Sequence, residues 1–257
     1  HSVNDLAKFV PGLEQPQLAN HSRLSLRGVS SGDNQSFEQS VGTYVDGVYR
    51  GRMNQQRSGF FDMERVEVLK GPQVSLYGNS SVGGALSMAT KRPEVGDELN
   101  GNFTVKYETE YEESQILGGV NIPVTDELAV RFAGKWRDQN GGAAFNHYTG
   151  KVENSYEDSA FRVSAVWEPS DEWSIYLRHE QADFEKHGES LAIYAHVNPD
   201  FTPNPNSPLA PFGIGTGDLN TGNDDSIFNN GPSGNYNDSD ETRLEVVRSI
   251  NDDMTLT

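Results

Sequence analysis

From Leu99 onward, apolar and polar residues alternate with a period of two, the spacing that sends successive side chains to opposite faces of an extended strand. Leu99, Gly101, Phe103, Val105 and Tyr107 alternate with Asn100, Asn102, Thr104, Lys106 and Glu108. The pattern returns at Ile116, Gly118, Val120 and Ile122, and again at Leu128, Val130, Phe132, Gly134 and Trp136 against Arg131, Lys135 and Arg137. Phe161, Val163, Ala165 and Trp167 oppose Arg162, Ser164 and Glu168; Trp173, Ile175 and Leu177 oppose Ser174, Tyr176, Arg178 and Glu180. Leu244, Val246 and Ile250 oppose Arg243, Glu245 and Ser249, and a further strand begins at Met254. Short connections near Glu112, at Pro123–Glu127, at Pro169–Glu172 and at Asn251–Asp253 interleave with long ones at 138–157 and 186–240. Long loops on one rim and tight turns on the other are expected of an up-and-down transmembrane barrel, and a soluble sandwich does not sort its loops this way. Trp136, Trp167, Trp173 and Tyr176, near strand ends, are expected to sit at the bilayer interfaces.

The first third is patterned differently. Val3–Val10 puts Leu6, Phe9 and Val10 on one helical stripe that Pro11-Gly12 ends. Leu24, Leu26 and Gly28 alternate with Arg23, Ser25 and Arg27, which predicts a strand. Asp46-Gly47 between Tyr44-Val45 and Val48-Tyr49 predicts a two-residue hairpin, with polar loops on either side at 30–42 and 51–59. Arg65–Lys70 carries charge on both faces, which suits a wet or ion-paired setting better than an apolar core. Gly71-Pro72 ends it, Gly78, Gly83 and Gly84 shape a crossing, and Ala85–Thr90 predicts a last short strand stopped by Lys91-Arg92-Pro93.

Composition changes this picture only in part. A 34% hydrophobic content and a net charge of −18 suit disorder, but the 10% aromatic content and regular strand pattern turn the reading toward a barrel, whose inward positions and loops are polar. The acidic balance disfavours nucleic acid as a partner. With no cysteine there is no disulfide framework, thiolate metal site or cysteine nucleophile. No apolar run is long enough for a membrane-spanning helix. A start at His1 with neither a charged n-region nor an apolar h-region is expected of a mature or trimmed chain.

The run Met63–Leu86, MERVEVLKGPQVSLYGNSSVGGAL, closed by Ala89–Pro93, resembles the end of the plug domain of TonB-dependent outer-membrane receptors. Leu26-Arg27-Gly28 resembles the family's Ile-Arg-Gly, and Tyr44–Tyr49 its Tyr-hydrophobic-Asp-Gly hairpin. The resemblance implies a mainly β fold: a small α/β plug at 1–95, then the first strands of a transmembrane antiparallel barrel at 96–257, which in the intact family has 22 strands. The TonB box and the other barrel strands are then expected to lie outside this sequence. It also implies uptake of a scarce solute across the outer membrane of a Gram-negative bacterium, typically a ferric siderophore and sometimes a cobalamin, haem or glycan. TonB with its inner-membrane energising complex, outer-membrane lipid and the cargo are the implied partners. Loop position makes Asp33, Asn34, Gln35, Arg52, Asn54 and Gln55 the candidate cargo contacts. By the same resemblance Arg27 and Lys70 are expected to latch the plug to barrel glutamates, although lysine lacks arginine's bidentate fork.

No catalytic group, cofactor or metal site emerges from the residues. Glu64 and Glu67 fall on opposite strand faces, Ser80-Ser81 is not a nucleophile elbow, and His147, His179, His187 and His196 lack metal-ligand spacing. Asp218–Asp225 gathers oxygen donors without the spacing of a calcium loop. Two rival readings stay open at this point: a secreted soluble glycan-binding β-domain and a metal-dependent hydrolase that uses the acidic loops.

Overall fold

The computed structural model describes residues 6–14, 17–18, 21–22, 24–30, 39–51, 60–73, 77–78, 81–141, 144–146, 151–153, 155–187, 226–227, 234–251 and 254–256. Four two-residue strands open it: β1 (Leu13–Glu14), β2 (Gln17–Leu18), β3 (His21–Ser22) and β4 (Ser25–Leu26). Then come β5 (Val41–Val45), β6 (Val48–Tyr49), β7 (Met63–Lys70) and β8 (Gly84–Thr90).

Of the expected N-terminal helix, the described part is its last turn, where Leu6 O accepts from the amides of Phe9 and Val10 at 2.9 Å. Phe9 is 81% exposed and leaves the apolar stripe that Leu6 and Val10 share. The strand expected through Gly28 stops at Leu26. Arg27 and Gly28, with φ of 53° and 78°, make a two-residue turn closed by reciprocal bonds between Leu26 and Val29.

The four strands β5 to β8 form one sheet in the order β6-β5-β8-β7, with β5 and β8 parallel. Asp46 and Gly47, at φ 49° and 79°, turn the β5–β6 hairpin as their sequence predicts. Leu13, Leu24, Leu26, Val41, Val45, Leu86 and Met88 fill the core under this sheet. A Cβ on Gly84, at φ 141°, would collide with Leu69 O and the Leu26 side chain, so the glycine lets β7 and β8 close onto the core. On edge strand β7, Val66 and Val68 reach that core. Arg65 stays exposed between Glu64 at 3.6 Å and Glu67 at 3.3 Å, the wet setting that its charges called for.

The second sheet has seven antiparallel strands in the order β18-β17-β15-β14-β11-β10-β9. These are β9 (Asn100–Glu108), β10 (Glu113–Thr125), β11 (Leu128–Gln139), β14 (Tyr156–Ser170), β15 (Trp173–His187), β17 (Gly234–Asn251) and β18 (Met254–Leu256). The short β12 (Ala144–Asn146), β13 (Lys151–Glu153) and β16 (Ser226–Ile227) pair with one another within the long connections. All seven strands of the meander coincide with the alternating segments of the sequence.

This wall is inside-out. Phe103, Val105, Phe132, Phe161, Trp167 and Leu177 stand exposed on its outer face, while Arg131, Lys135, Arg162, Ser164, Arg178 and Glu180 are buried on the inner one. Leu244 is in register, through Leu177, Ala165 and Val130, with Ile122 on β10, far below Tyr107 on β9, although both mark the upper edge of the apolar face. With about 3.4 Å per residue and about 4.8 Å per strand spacing, the edge slopes at about 45° to the register rows, the tilt of strands in membrane barrels. A soluble β-domain would hide such a face, so the secreted-domain reading fails here. Tyr176 corrects the expected aromatic belt: paired with Val166 on the inner face, it is buried beneath Arg92, whose guanidinium lies 4.2 Å from the ring centre.

Candidate functional site

The N-terminal sheet meets the inner face of the wall through charge. The Asp46 carboxylate accepts from the amide and hydroxyl of Thr90, both at 2.8 Å, and pairs with Arg178 of β15. Arg178, with no exposed surface, also pairs with Glu241 of β17, which in turn holds Arg50. Arg243 donates to the Asp46 carbonyl. The left-handed φ of Asp46 that closes the hairpin also places its carboxylate and carbonyl at the hairpin tip, facing these arginines.

A second contact lies at Phe61-Asp62. Asp62, also left-handed at φ 49°, takes Arg131 of β11 in a bidentate pair at 2.7 and 2.6 Å. Gly119 makes room for it, since a Cβ there would stand 2.6 Å from the guanidinium and 2.9 Å from the carboxylate. Buried Phe61 rests against Arg162, 4.3 Å from its ring centre, with Lys135 at 5.9 Å. Arg162 donates to the Phe61 carbonyl at 3.2 Å and to Glu180 at 2.6 Å. A third contact ties down the connecting segment, where Arg92 forks onto Glu245 at 2.8 and 3.1 Å.

Higher on the inner face, Arg137, Glu113 and Tyr156 close a triangle with bonds of 2.6 to 2.9 Å, and the Tyr156 ring stacks on Phe184. Burial raises the Tyr156 phenol above its ordinary range, so it stays a neutral donor to Glu113.

The sequence-predicted contacts fall mostly elsewhere. Asp33, Asn34, Gln35, Arg52, Asn54 and Gln55 lie outside the described residues, as does the oxygen-rich loop 218–225. Arg27 and Lys70 are exposed, and among the described residues neither has a carboxylate partner. The ion pairs found here run in both directions: Asp46 and Asp62 of the N-terminal part meet wall arginines, while Arg50 and Arg92 meet wall glutamates. The wall arginines were visible as charges at the inward positions of strands, but their N-terminal partners depend on two left-handed turns that strand periodicity does not register. His179 is on the outer face, bonded to Thr242 at 2.9 Å. Among the described residues, no group of His, Asp or Glu is arranged to hold a metal.

The family model for the TonB-dependent receptor plug domain matches residues 1–85. The pesticin receptor of Yersinia pestis is 32% identical over 147 residues, 56% of this chain and 21% of that protein. The ferrioxamine receptor of Yersinia enterocolitica is 28% identical over 181 residues, 69% of this chain and 24% of that protein. The chain thus spans about a fifth to a quarter of the length of these relatives. The crystal structure of the ferric yersiniabactin uptake receptor FyuA from Yersinia pestis superposes with a TM-score of 0.73 at 21% identity, covering 96% of this chain and 35% of that one. The ferric-catecholate import receptor Fiu from E. coli K12 gives 0.65 at 19% identity, over 98% and 34%.

Proposed function

We propose that this chain, which belongs to the TonB-dependent outer-membrane receptors of Gram-negative bacteria, supplies the plug and first wall strands of a transporter that brings a ferric siderophore into the periplasm. One observation carries the reading. The N-terminal sheet has an apolar core of its own and meets the wall through ion pairs, chiefly Asp46–Arg178, Asp62–Arg131 and Arg92–Glu245. Parting such an interface exchanges ionic contacts for water, and the one apolar cluster it uncovers among the described residues is Phe61 against Ala133, Ala160 and Ala182, a small area that suits a displaceable stopper. The apolar outer face of the wall seats it in lipid.

In this reading residues 1–95 are the plug and 96–257 the opening of the barrel, and TonB draws on the plug to release cargo. Asp33, Asn34, Gln35, Arg52, Asn54 and Gln55, in the loops beside the hairpin, contact the cargo. Exposed Arg27 and Lys70 remain available to acidic groups of the wall. Relatives named for ferrioxamine and for ferric enterobactin support an iron chelate as cargo. The test is uptake of labelled ferric siderophores by a strain lacking the gene, with the full-length receptor restored in the presence or absence of TonB. Uptake that needs both is expected. Rescue by cobalamin, haem or a glycan instead would reassign the cargo, and rescue independent of TonB would overturn the mechanism.

A further inference from the structure

The inner face of the wall carries its arginines in a pattern that the fastening of the plug does not exhaust. Register places Asn121, Arg131, Ser164, Arg178 and Arg243 side by side in one row across five strands, each the direct partner of the next. Arg162 stands on the adjacent inward position of β14. Every arginine of this set touches the plug: Arg131 through Asp62, Arg178 and Arg243 through Asp46, and Arg162 through Phe61. The row also has unused hydrogen-bonding capacity. Asn121 Oδ1, Ser164 Oγ and Arg178 Nε are buried there without a partner.

Withdrawal of the plug would leave these cations unequally satisfied. Arg162 keeps Glu180, Arg178 keeps Glu241 and Arg243 keeps Glu245, all on the wall. Arg131 loses Asp62, and among the described residues no wall carboxylate stands against it. Its neighbours in the row are Asn121, whose amide nitrogen donates to Asp97 at 3.5 Å and would have to turn from it to meet an anion, and Ser164, whose hydroxyl is free to donate to one; neither can neutralise a guanidinium. We propose that the row Asn121–Arg131–Ser164–Arg178 is an anion site of the open lumen, masked at rest by the plug and used by an anionic chelate on its way through. This rests on the reading that the plug withdraws. It assigns the row a second ligand beyond the plug: a carboxylate-, phenolate- or catecholate-bearing solute whose charge replaces Asp62 and Asp46. The same row draws the plug carboxylates back once the solute has gone.

The test uses the full-length receptor in planar bilayers, with the plug loosened reversibly by urea and chloride as the probe in a KCl gradient. Arg131→Gln should lower the chloride-to-potassium permeability ratio about threefold, as expected when a cation is removed from the lining of the opened lumen. Asp62→Asn removes the same ion pair from the plug side and should leave the ratio of the opened pore unchanged, while Arg131→Lys, which keeps the charge, should stay near wild type. If Arg131 only fastens the plug, Arg131→Gln and Asp62→Asn will ease opening alike and leave the ratio alike, which overturns the proposal. No conductance at any urea concentration that frees the plug would instead remove the displaceable-plug reading, and the proposal with it.

Discussion

The two sheets of this chain solve opposite problems with the same period. In the plug, Leu86 and Met88 point into an apolar core, while the charges of β7, Arg65 and Glu67, stand exposed. In the wall, Arg162 and Arg178 are among the most deeply buried side chains, while Phe132 and Trp167 stand on the outside. Alternation fixes which residues share a face, and the surrounding solvent decides which face is inside. Because the wall buries charge, anything lodged against it must bring charge of its own, and the plug does so at Asp46, Asp62 and Arg92.

The severest way to break this comparison is to make the inside of the wall resemble the inside of the plug. Arg178→Leu leaves Asp46 buried without its main partner, and such a half-pair is expected to cost about 3–5 kcal/mol. The plug transition in thermal unfolding of the detergent-solubilised receptor should fall by more than the wall transition, which loses only the Arg178–Glu241 pair. An unchanged plug transition would mean that the buried pair does not hold the two parts together. The converse change, Leu86→Ala in the plug core, removes a side chain that is 1% exposed and should cost about 3 kcal/mol in the same transition.

On the outer face the sign of the rule reverses. Phe132 lies midway along the apolar stretch of β11, so Phe132→Arg places a cation against lipid at a cost of about 2–3 kcal/mol near the midplane, read by denaturant unfolding from vesicles. An arginine is native one residue earlier, at 131, where Asp62 receives it. Equal tolerance of arginine at both positions would contradict the assignment of inner and outer faces.

The wall was legible from sequence because membrane strands repeat one simple rule over many residues, so even the seventh strand at Met254 follows from it. The plug was legible where a turn has a local chemical signature, as at Asp46-Gly47. It was not legible where tertiary packing decides: Arg27-Gly28 turns instead of extending, and Phe9 leaves its stripe. The plug–wall contact was hardest to read. Asp62 and Arg131 are 69 residues apart, and their meeting depends on the left-handed turn at 62, the register of β11 and the space left by Gly119. Resemblance placed basic groups on the plug and acidic ones on the wall; Arg50–Glu241 and Arg92–Glu245 have that sense, while the pairs at Asp46 and Asp62 have the opposite one.

The smallest effect belongs to the rim, where neither rule of burial applies. Glu108, at the end of β9 above the apolar face, accepts from the amides of Glu110 and Tyr111, each at 2.8 Å. Those donors, Tyr111 foremost, hold its carboxyl below the ordinary carboxylate range. A lowered folded-state value means that the contribution is fully present above the ordinary pKa and is lost as pH falls through the lowered one. Amide protection at Glu110 and Tyr111 should therefore hold from neutral pH down to about pH 5 and decline in more acid solution, while that within β11 stays constant. Glu108→Gln keeps one neutral acceptor and removes the titration, so its protection at the turn should be weaker and independent of pH. A decline that persists in Glu108→Gln would assign the acid sensitivity of this rim to another group.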